Sequence, residues 1–325
     1  MAKVIQNNYV YGSPACDSPV RILSCSDLHW PGKGVKSKAS DRLVEFLSDP
    51  IKNKDVEILL VPGDFINSPD LLETREDRKA FLEYIKRLTG GRLLIGSIGN
   101  HERMVLRNGV WHAEESTALQ DTLTSLDNVK ILDGLESFSL ADSNLVTKGF
   151  STANINIVGA SLPGSYYIDE HEEAKAYLEH LIQMFEGKNP FLEGMTNIML
   201  LHEVRNLILL LKSGIVPRDI VSKLEGVLIN GGHNHGGGVP NIFQPLNPFN
   251  CGLMAPSGKK LPTDVIGHSS HLGINFIQNG YAADFKPDSQ LINACYTKFD
   301  RGAVTCIRVE PGLKPGLRKV RRLSN

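Results

Sequence analysis

The chain has 325 residues, 41% hydrophobic and 22% charged, the balance of a soluble folded protein rather than a disordered or membrane-spanning one. A formal charge of −1 gives no global attraction to nucleic acid or an acidic membrane, so only local charge argues for such partners. The five cysteines (Cys16, Cys25, Cys251, Cys295 and Cys306) form no CxxC pair and are too sparse for a disulfide scaffold, which fits a reducing, cytoplasmic setting.

Residues 1–19 read as a polar leader without the apolar core of a signal peptide. Arg21–Ser26 (RILSCS) is expected to be a strand ending at Asp27, and Ala39–Ile51 has helical periodicity. Val56–Val61 (VEILLV) is a nearly continuous apolar run, the pattern of a strand buried on both faces. Leu71–Leu88 reads as a charged amphipathic helix and Arg92–Ile98 (RLLIGSI) as another buried strand. This alternation predicts a mostly parallel sheet covered by helices. Further along, Ser116–Leu126 and Glu170–Phe185 are read as helices. Val129–Leu132, Leu145–Gly149, Asn154–Gly159, Asn197–Leu201 and Gly226–Ile229 are read as strands. Pro240–Thr263, rich in Pro, Gly and Asn, reads as a long loop near the site. Asn293–Lys298 and Ala303–Val309 are expected to close the fold as a hairpin. No linker divides the chain, so residues 20–312 are taken as a single domain and 313–325 as a solvated basic tail.

Five polar motifs fall just past the ends of buried strands. They are Asp27-Leu28-His29, Gly63-Asp64, Gly99-Asn100-His101-Glu102, His202-Glu203 and Gly232-His233-Asn234-His235. Any one of them alone reads as a turn or a surface histidine. Their shared placement argues otherwise, because loops at strand carboxyl ends converge on one crevice in open α/β sheets. Asp27, Asp64, Asn100, His29, His202, His233 and His235 offer only oxygen and nitrogen donors, a set suited to Mn, Fe or Zn rather than a thiolate site. An extended segment would bring the alternating donors Asp27/His29 and His233/His235 to one centre or two neighbouring ones. The glycines before Asp64, Asn100 and His233 would let the backbone turn and approach closely.

In this order and spacing, the series D-x-H, G-D, G-N-H-E, H and G-H-x-H resembles the calcineurin-like metallophosphoesterases from roughly Arg21 to Gly238. The resemblance implies a four-layer αββα sandwich of two mixed β-sheets flanked by helices. It further implies two metal ions, with Mn expected and Fe or Zn as alternatives. Asp27, His29 and His235 would bind the first; Asn100, His202 and His233 the second; Asp64 would bridge both. The implied reaction is phosphoester hydrolysis by in-line attack of a hydroxide shared between the metals, with His101 facing the phosphate. Glu102 would orient a ligand imidazole, or sit as a plain surface carboxylate.

Other residues carry weaker signals. Arg103 and Arg205 follow ligand motifs and, with Asn100, are candidates for contacting a substrate phosphate. Trp30 is read equally as a cleft wall or as core, and His268 and His271 are assigned no metal. Arg103–Leu126 and Ser161–Leu192 are the segments where a specificity loop is expected. Gly236–Gly238 after His235 resembles the GHxHGG branch of the family, which favours a small phosphodiester or nucleotide-like substrate. A phosphomonoesterase, a DNA or RNA nuclease using the basic tail, and a non-catalytic scaffold are the other readings.

Overall fold

A computed structural model describes residues 5–15, 19–35, 38–49, 53, 56–140, 154–168, 174–232, 267–278, 303–312 and 316–320. Strands β1 (Ile5–Ser13) and β2 (Val20–Ser24) lead into helix α1 (Lys38–Ser48), strand β3 (Val56–Pro62), helix α2 (Arg75–Thr89) and strand β4 (Leu93–Ser97). A short pair, β5 (Met104–Arg107) and β6 (Val110–Ala113), precedes α3 (Ala118–Leu123) and β7 (Val129–Leu132). The second half runs β8 (Ser137–Ser139), β9 (Ile155–Ala160), α4 (Gly164–Ile168), α5 (Ala174–Phe185), β10 (Thr196–Leu201), α6 (Val204–Ser213), α7 (Arg218–Leu224) and β11 (Leu228–Gly231). Strands β12 (Gly267–His271), β13 (Ile274–Gln278), β14 (Ala303–Pro311) and β15 (Gly316–Val320) complete it.

The strands form two mixed sheets, ordered β15-β1-β14-β2-β3-β4-β7 and β12-β13-β11-β10-β9-β8. Side-chain alternation stacks them. Ile22, Ile58, Leu60 and Ile95 point from the first sheet into a shared apolar layer with Ile155, Ile157, Ile198 and Leu200 of the second. The intervening Leu23, Leu59, Val61 and Leu94 pack under α1, α2 and α3. On the far side, Val158, Ala160, Met199 and Leu201 pack under α5, α6 and α7. The result is the four-layer αββα sandwich, and the continuous apolar runs of β3, β4 and β10 are the mark of strands covered on both faces.

Local chemistry explains where elements start and stop. The helix expected from Leu71 instead opens with a 3-10 turn at Pro69–Leu72 and restarts as α2 after Thr74, whose hydroxyl accepts from Asp77 N at 3.1 Å. It ends on left-handed Gly90. The larger departures lie at the two ends. Part of the polar leader is strand β1, paired parallel with β14, with Tyr9 and Tyr11 buried. Part of the basic tail is β15, paired antiparallel with β1. Their polar composition hides edge and near-edge strands whose partners are remote in sequence. β14 pairs with β1 and β2; the other arm of its expected hairpin, Asn293–Lys298, lies outside the described residues, as do Leu145–Gly149 and Pro240–Thr263. Among the described residues, no helix is long and apolar enough to cross a membrane.

Candidate metal centre

Strands β2, β3 and β4 are mutually parallel, as are β10 and β11, so the motifs that follow them emerge together. The segment after β2 runs beside the segment after β3: Asp27 N donates to Gly63 O (3.2 Å), His29 N to Asp64 O (3.0 Å) and Trp30 N to Phe65 O (2.9 Å). The sequence pattern implies an extended Asp27–His29 segment, and the backbone there is not extended. Asp27, His29 and Asp64 all adopt left-handed backbone conformations, with φ of 56°, 44° and 56°. Such conformations are costly for residues bearing a Cβ and persist where surrounding structure dictates them, which is typical of functional sites.

Asp64 is the hub. Ligand atoms of His29, Asp64 and His101 cluster within 4.8 Å of one another, and so do those of Asp27, Asp64 and His202. Asp64 Oδ1 accepts from His101 N at 3.0 Å. Its Oδ2, fully buried, lies 3.2 Å from His202 Nε2 and 3.7 Å from His29 Nε2 without forming a hydrogen bond to either. His202 Nδ1 donates to Pro62 O at 2.7 Å, which turns its Nε2 toward Asp64 Oδ2 and toward Asn100 Oδ1, 3.0 Å away. A neutral imidazole would there aim a lone pair at two oxygens. A cation among those three atoms resolves the conflict, so the donor set fits a metal.

The electrostatics agree. Burial above all, with His101 beside it, pushes His29 down to about 3, so the imidazole is in the neutral form that ligates metals. Burial tends to raise Asp64, but the histidines around it, His202 first, hold its carboxyl well below the usual range.

Glu102 does not touch an imidazole and is not at the surface. It is buried and accepts four backbone N–H groups: Oε2 from Asp64 (3.0 Å) and Gly99 (2.8 Å), Oε1 from Phe65 (2.7 Å) and Ile66 (3.2 Å). Burial, with Asp64's charge, pushes it up to about 7 against the lowering effect of those N–H groups. Its carboxylate therefore ties the loop after β4 to the loop after β3. Gly99 completes the junction: a Cβ there would meet Asp64 N at 2.6 Å.

His101 is only partly buried, its Nδ1 donates to Asn67 O at 2.8 Å, and its ring stands edge-on to His29 with centroids 4.5 Å apart. Arg103 follows the Asn100-His101-Glu102 motif directly, at the start of the β5–β6 segment. Its guanidinium pairs with Glu115 and Asp133, two carboxylates that neutralise it. Trp30 belongs to the core under α2, 5.2 Å from Phe81. Arg205 lies in α6, and its side chain falls outside the description, as does that of His268 on β12. His271, on the same strand, joins neither cluster. His233 and His235 lie outside the described residues. Gly232 before them passes against the site, donating to His202 O at 3.0 Å, and a Cβ on it would meet Asp27 Oδ2 at 2.6 Å.

Sequence reasoning did not find the β5–β6 hairpin, which places Trp111 5.8 Å from His101, ring to ring. The signal was present in Asn108-Gly109, a dipeptide that favours a two-residue hairpin turn.

The sequence profile of the calcineurin-like phosphoesterase family matches residues 20–209. The chain belongs to that family. Among solved structures it is similar to a 5′-nucleotidase precursor from Thermus thermophilus (17% identity, 81% of this chain and 49% of that one, TM-score 0.35). It is also similar to a purple acid phosphatase from yellow lupin, Lupinus luteus (11% identity, 92% and 55%, TM-score 0.42). A dimetal phosphatase from Danio rerio is a third (12% identity, 84% and 91%, TM-score 0.41). The chain spans about half the length of the first two. No curated protein sequence matches it.

Proposed function

We propose that the chain hydrolyses a phosphodiester at a centre of two metal ions. Asp27, His29 and His235 would hold one ion and Asn100, His202 and His233 the other, with Asp64 between them. The observation that carries this reading is that Asp64 belongs to both ligand clusters; those clusters group Asp27 with His202 and His29 with His101, so the division of ligands between the ions is taken from the resemblance. When bound, such a pair of ions supplies Lewis acidity toward phosphoryl oxygens and lowers the proton affinity of water. Asp64 contributes the negative charge that makes two neighbouring cations tolerable. His29 and His202 are held ready, one neutral through burial and the other oriented by Pro62.

His101 is read as the residue that faces substrate. With Nδ1 donating to Asn67 O, Nε2 is the nitrogen left to face substrate, and only the doubly protonated ring would donate from it to a phosphoryl oxygen or to the leaving alcohol. Asn100, Arg103 and Arg205 are kept as candidates for phosphate contact. The preference for a diester over a monoester rests on the glycine run Gly236–Gly238. Manganese is the metal proposed first, and a cytoplasmic setting is kept from the cysteine pattern.

The test is an assay of bis(p-nitrophenyl) phosphate and p-nitrophenyl phosphate with protein stripped of metal and then given Mn²⁺. Turnover should require the metal and be faster on the diester. Asp64→Ala should abolish it, and His101→Ala should lower kcat by about 10²–10⁴-fold. Faster monoester turnover would move the assignment to a phosphomonoesterase. No bound metal by elemental analysis, together with no turnover, would overturn the reading.

A further inference from the structure

The β5–β6 hairpin leaves the sandwich directly after the Asn100-His101 motif. It turns through Asn108 and Gly109, whose φ values of 53° and 77° match the paired left-handed residues of a two-residue turn. Its ladder sets Leu106 opposite Trp111 and Met104 opposite Ala113, so these four share one face. The base is fixed from several sides. Arg103 pairs with Glu115 and Asp133, Glu114 N donates to Arg103 O at 2.8 Å, and Gly164 N donates to Glu115 Oε1 at 3.0 Å. The hairpin is therefore a stiff projection.

What it carries is unusual for a surface ribbon. Trp111 is 39% exposed, Leu106 50% and Val110 57%. The Trp111 ring stands edge-on to His101, which in turn stands edge-on to His29. An exposed indole thus borders the residue proposed to face the phosphoryl group. The hairpin's cations are already engaged: Arg103 by its two carboxylates and Arg107 by Glu114 at 2.7 Å. This wall offers a flat apolar surface rather than a track for further phosphates.

We propose that Trp111, backed by Leu106, is the specificity-determining wall of the site, and that it stacks on the base of a nucleoside phosphoester. This rests on the proposed phosphoesterase centre and names its substrate class. An indole presents a large π-face, and base–aromatic stacking is strong enough to give about tenfold or greater discrimination.

The test reads binding instead of turnover. The probes are the methylene phosphonate analogues of AMP and of ribose 5-phosphate, which cannot be hydrolysed, titrated into the Mn²⁺-loaded protein. The AMP analogue should bind at least tenfold tighter and quench tryptophan emission. Trp30, the other tryptophan, is 6% exposed and gives the unquenched background. Trp111→Ala should lower affinity for the AMP analogue about tenfold, to the level of the ribose analogue, and Trp111→Phe should restore most of it. Equal wild-type affinities, or a loss shared by both analogues in Trp111→Ala, would overturn the proposal. So would an octyl phosphonate that binds as tightly as the AMP analogue, since the wall would then be merely greasy. Failure of every analogue to bind overturns the wall, and overturns the phosphoesterase centre with it when the protein also holds no metal and turns over neither ester. Base-blind binding with metal-dependent turnover overturns the wall alone.

Discussion

The cluster around Asp64 and the hairpin around Trp111 are joined by two residues of chain, yet they are built on opposite principles. Around Asp64 almost everything is buried, three backbones are left-handed, and one carboxylate, Glu102, takes four N–H groups at once. Around Trp111 the side chains are exposed and the order comes from a tight turn and a clamp at the base. On the proposed reading, the difference separates reaction from recognition. Changes near Asp64 should cost folding and metal binding together, whereas changes on the hairpin should alter what binds without touching the frame.

The most damaging test of that separation is Glu102→Gln. A glutamine offers one acceptor oxygen where the glutamate offers two, and its NH₂ group would oppose at least one of the four N–H donors. Buried donors left unmet cost about 1–3 kcal/mol each, so a loss of about 3 kcal/mol in unfolding free energy is expected from chemical denaturation. Metal stoichiometry should fall with it, because Asp64 N is one of the orphaned groups. Wild-type stability in this variant would mean that the clamp does not hold the loop.

Gly99→Ala probes the same frame more gently. The added methyl would stand 2.6 Å from Asp64 N, and the contact is with backbone, which cannot swing away. Overpacking of this kind costs about 2 kcal/mol. Metal affinity measured by competition with a chelator should drop in the same variant, since the atom displaced first belongs to Asp64. Retained affinity with lost stability would show that the strain relaxes elsewhere.

How far these regions could be read from sequence follows from how local their causes are. The motifs after β3, β4 and β10 were legible because each follows a nearly continuous apolar run, and β3, β4, β7 and β10 appear within a residue or two of their expected bounds. A shared Asp64 was reached only through resemblance, which groups Asp27 with His29 where the structure groups Asp27 with His202 and His29 with His101. The physical basis of the sharing, strands of two different sheets ending at one place, is a tertiary fact. Glu102 was misread for the same reason: its partners at Asp64, Phe65 and Ile66 are remote in sequence and made of backbone. Strands β1 and β15 were missed because IQNNYVYGS and GLRKV show composition before pattern, and β1 is fixed by pairing with Ala303–Pro311. The hairpin was the avoidable miss. Asn108-Gly109 announces it, but Leu106, Val110 and Trp111 show no buried face to confirm a strand.

Gly109→Ala is the counterpart of Gly99→Ala on the hairpin, and it should be the mildest. Nothing lies within 4 Å of the position an added Cβ would take, so no packing is disturbed. The cost is the left-handed backbone itself, with φ of 77°, which disfavours an L side chain by about 1 kcal/mol. The loss should register as a small fall in the unfolding midpoint, with metal stoichiometry and metal affinity as in the parent protein. The preference for the AMP analogue over the ribose analogue should narrow, because a loosened turn lets Trp111 drift from His101. Two alanines on two glycines ten residues apart would then give opposite signatures. One would lower metal affinity, and the other would blur recognition of the base while the metals stay bound. A fall in metal affinity with Gly109→Ala would tie the hairpin to the frame and end the division between the two regions.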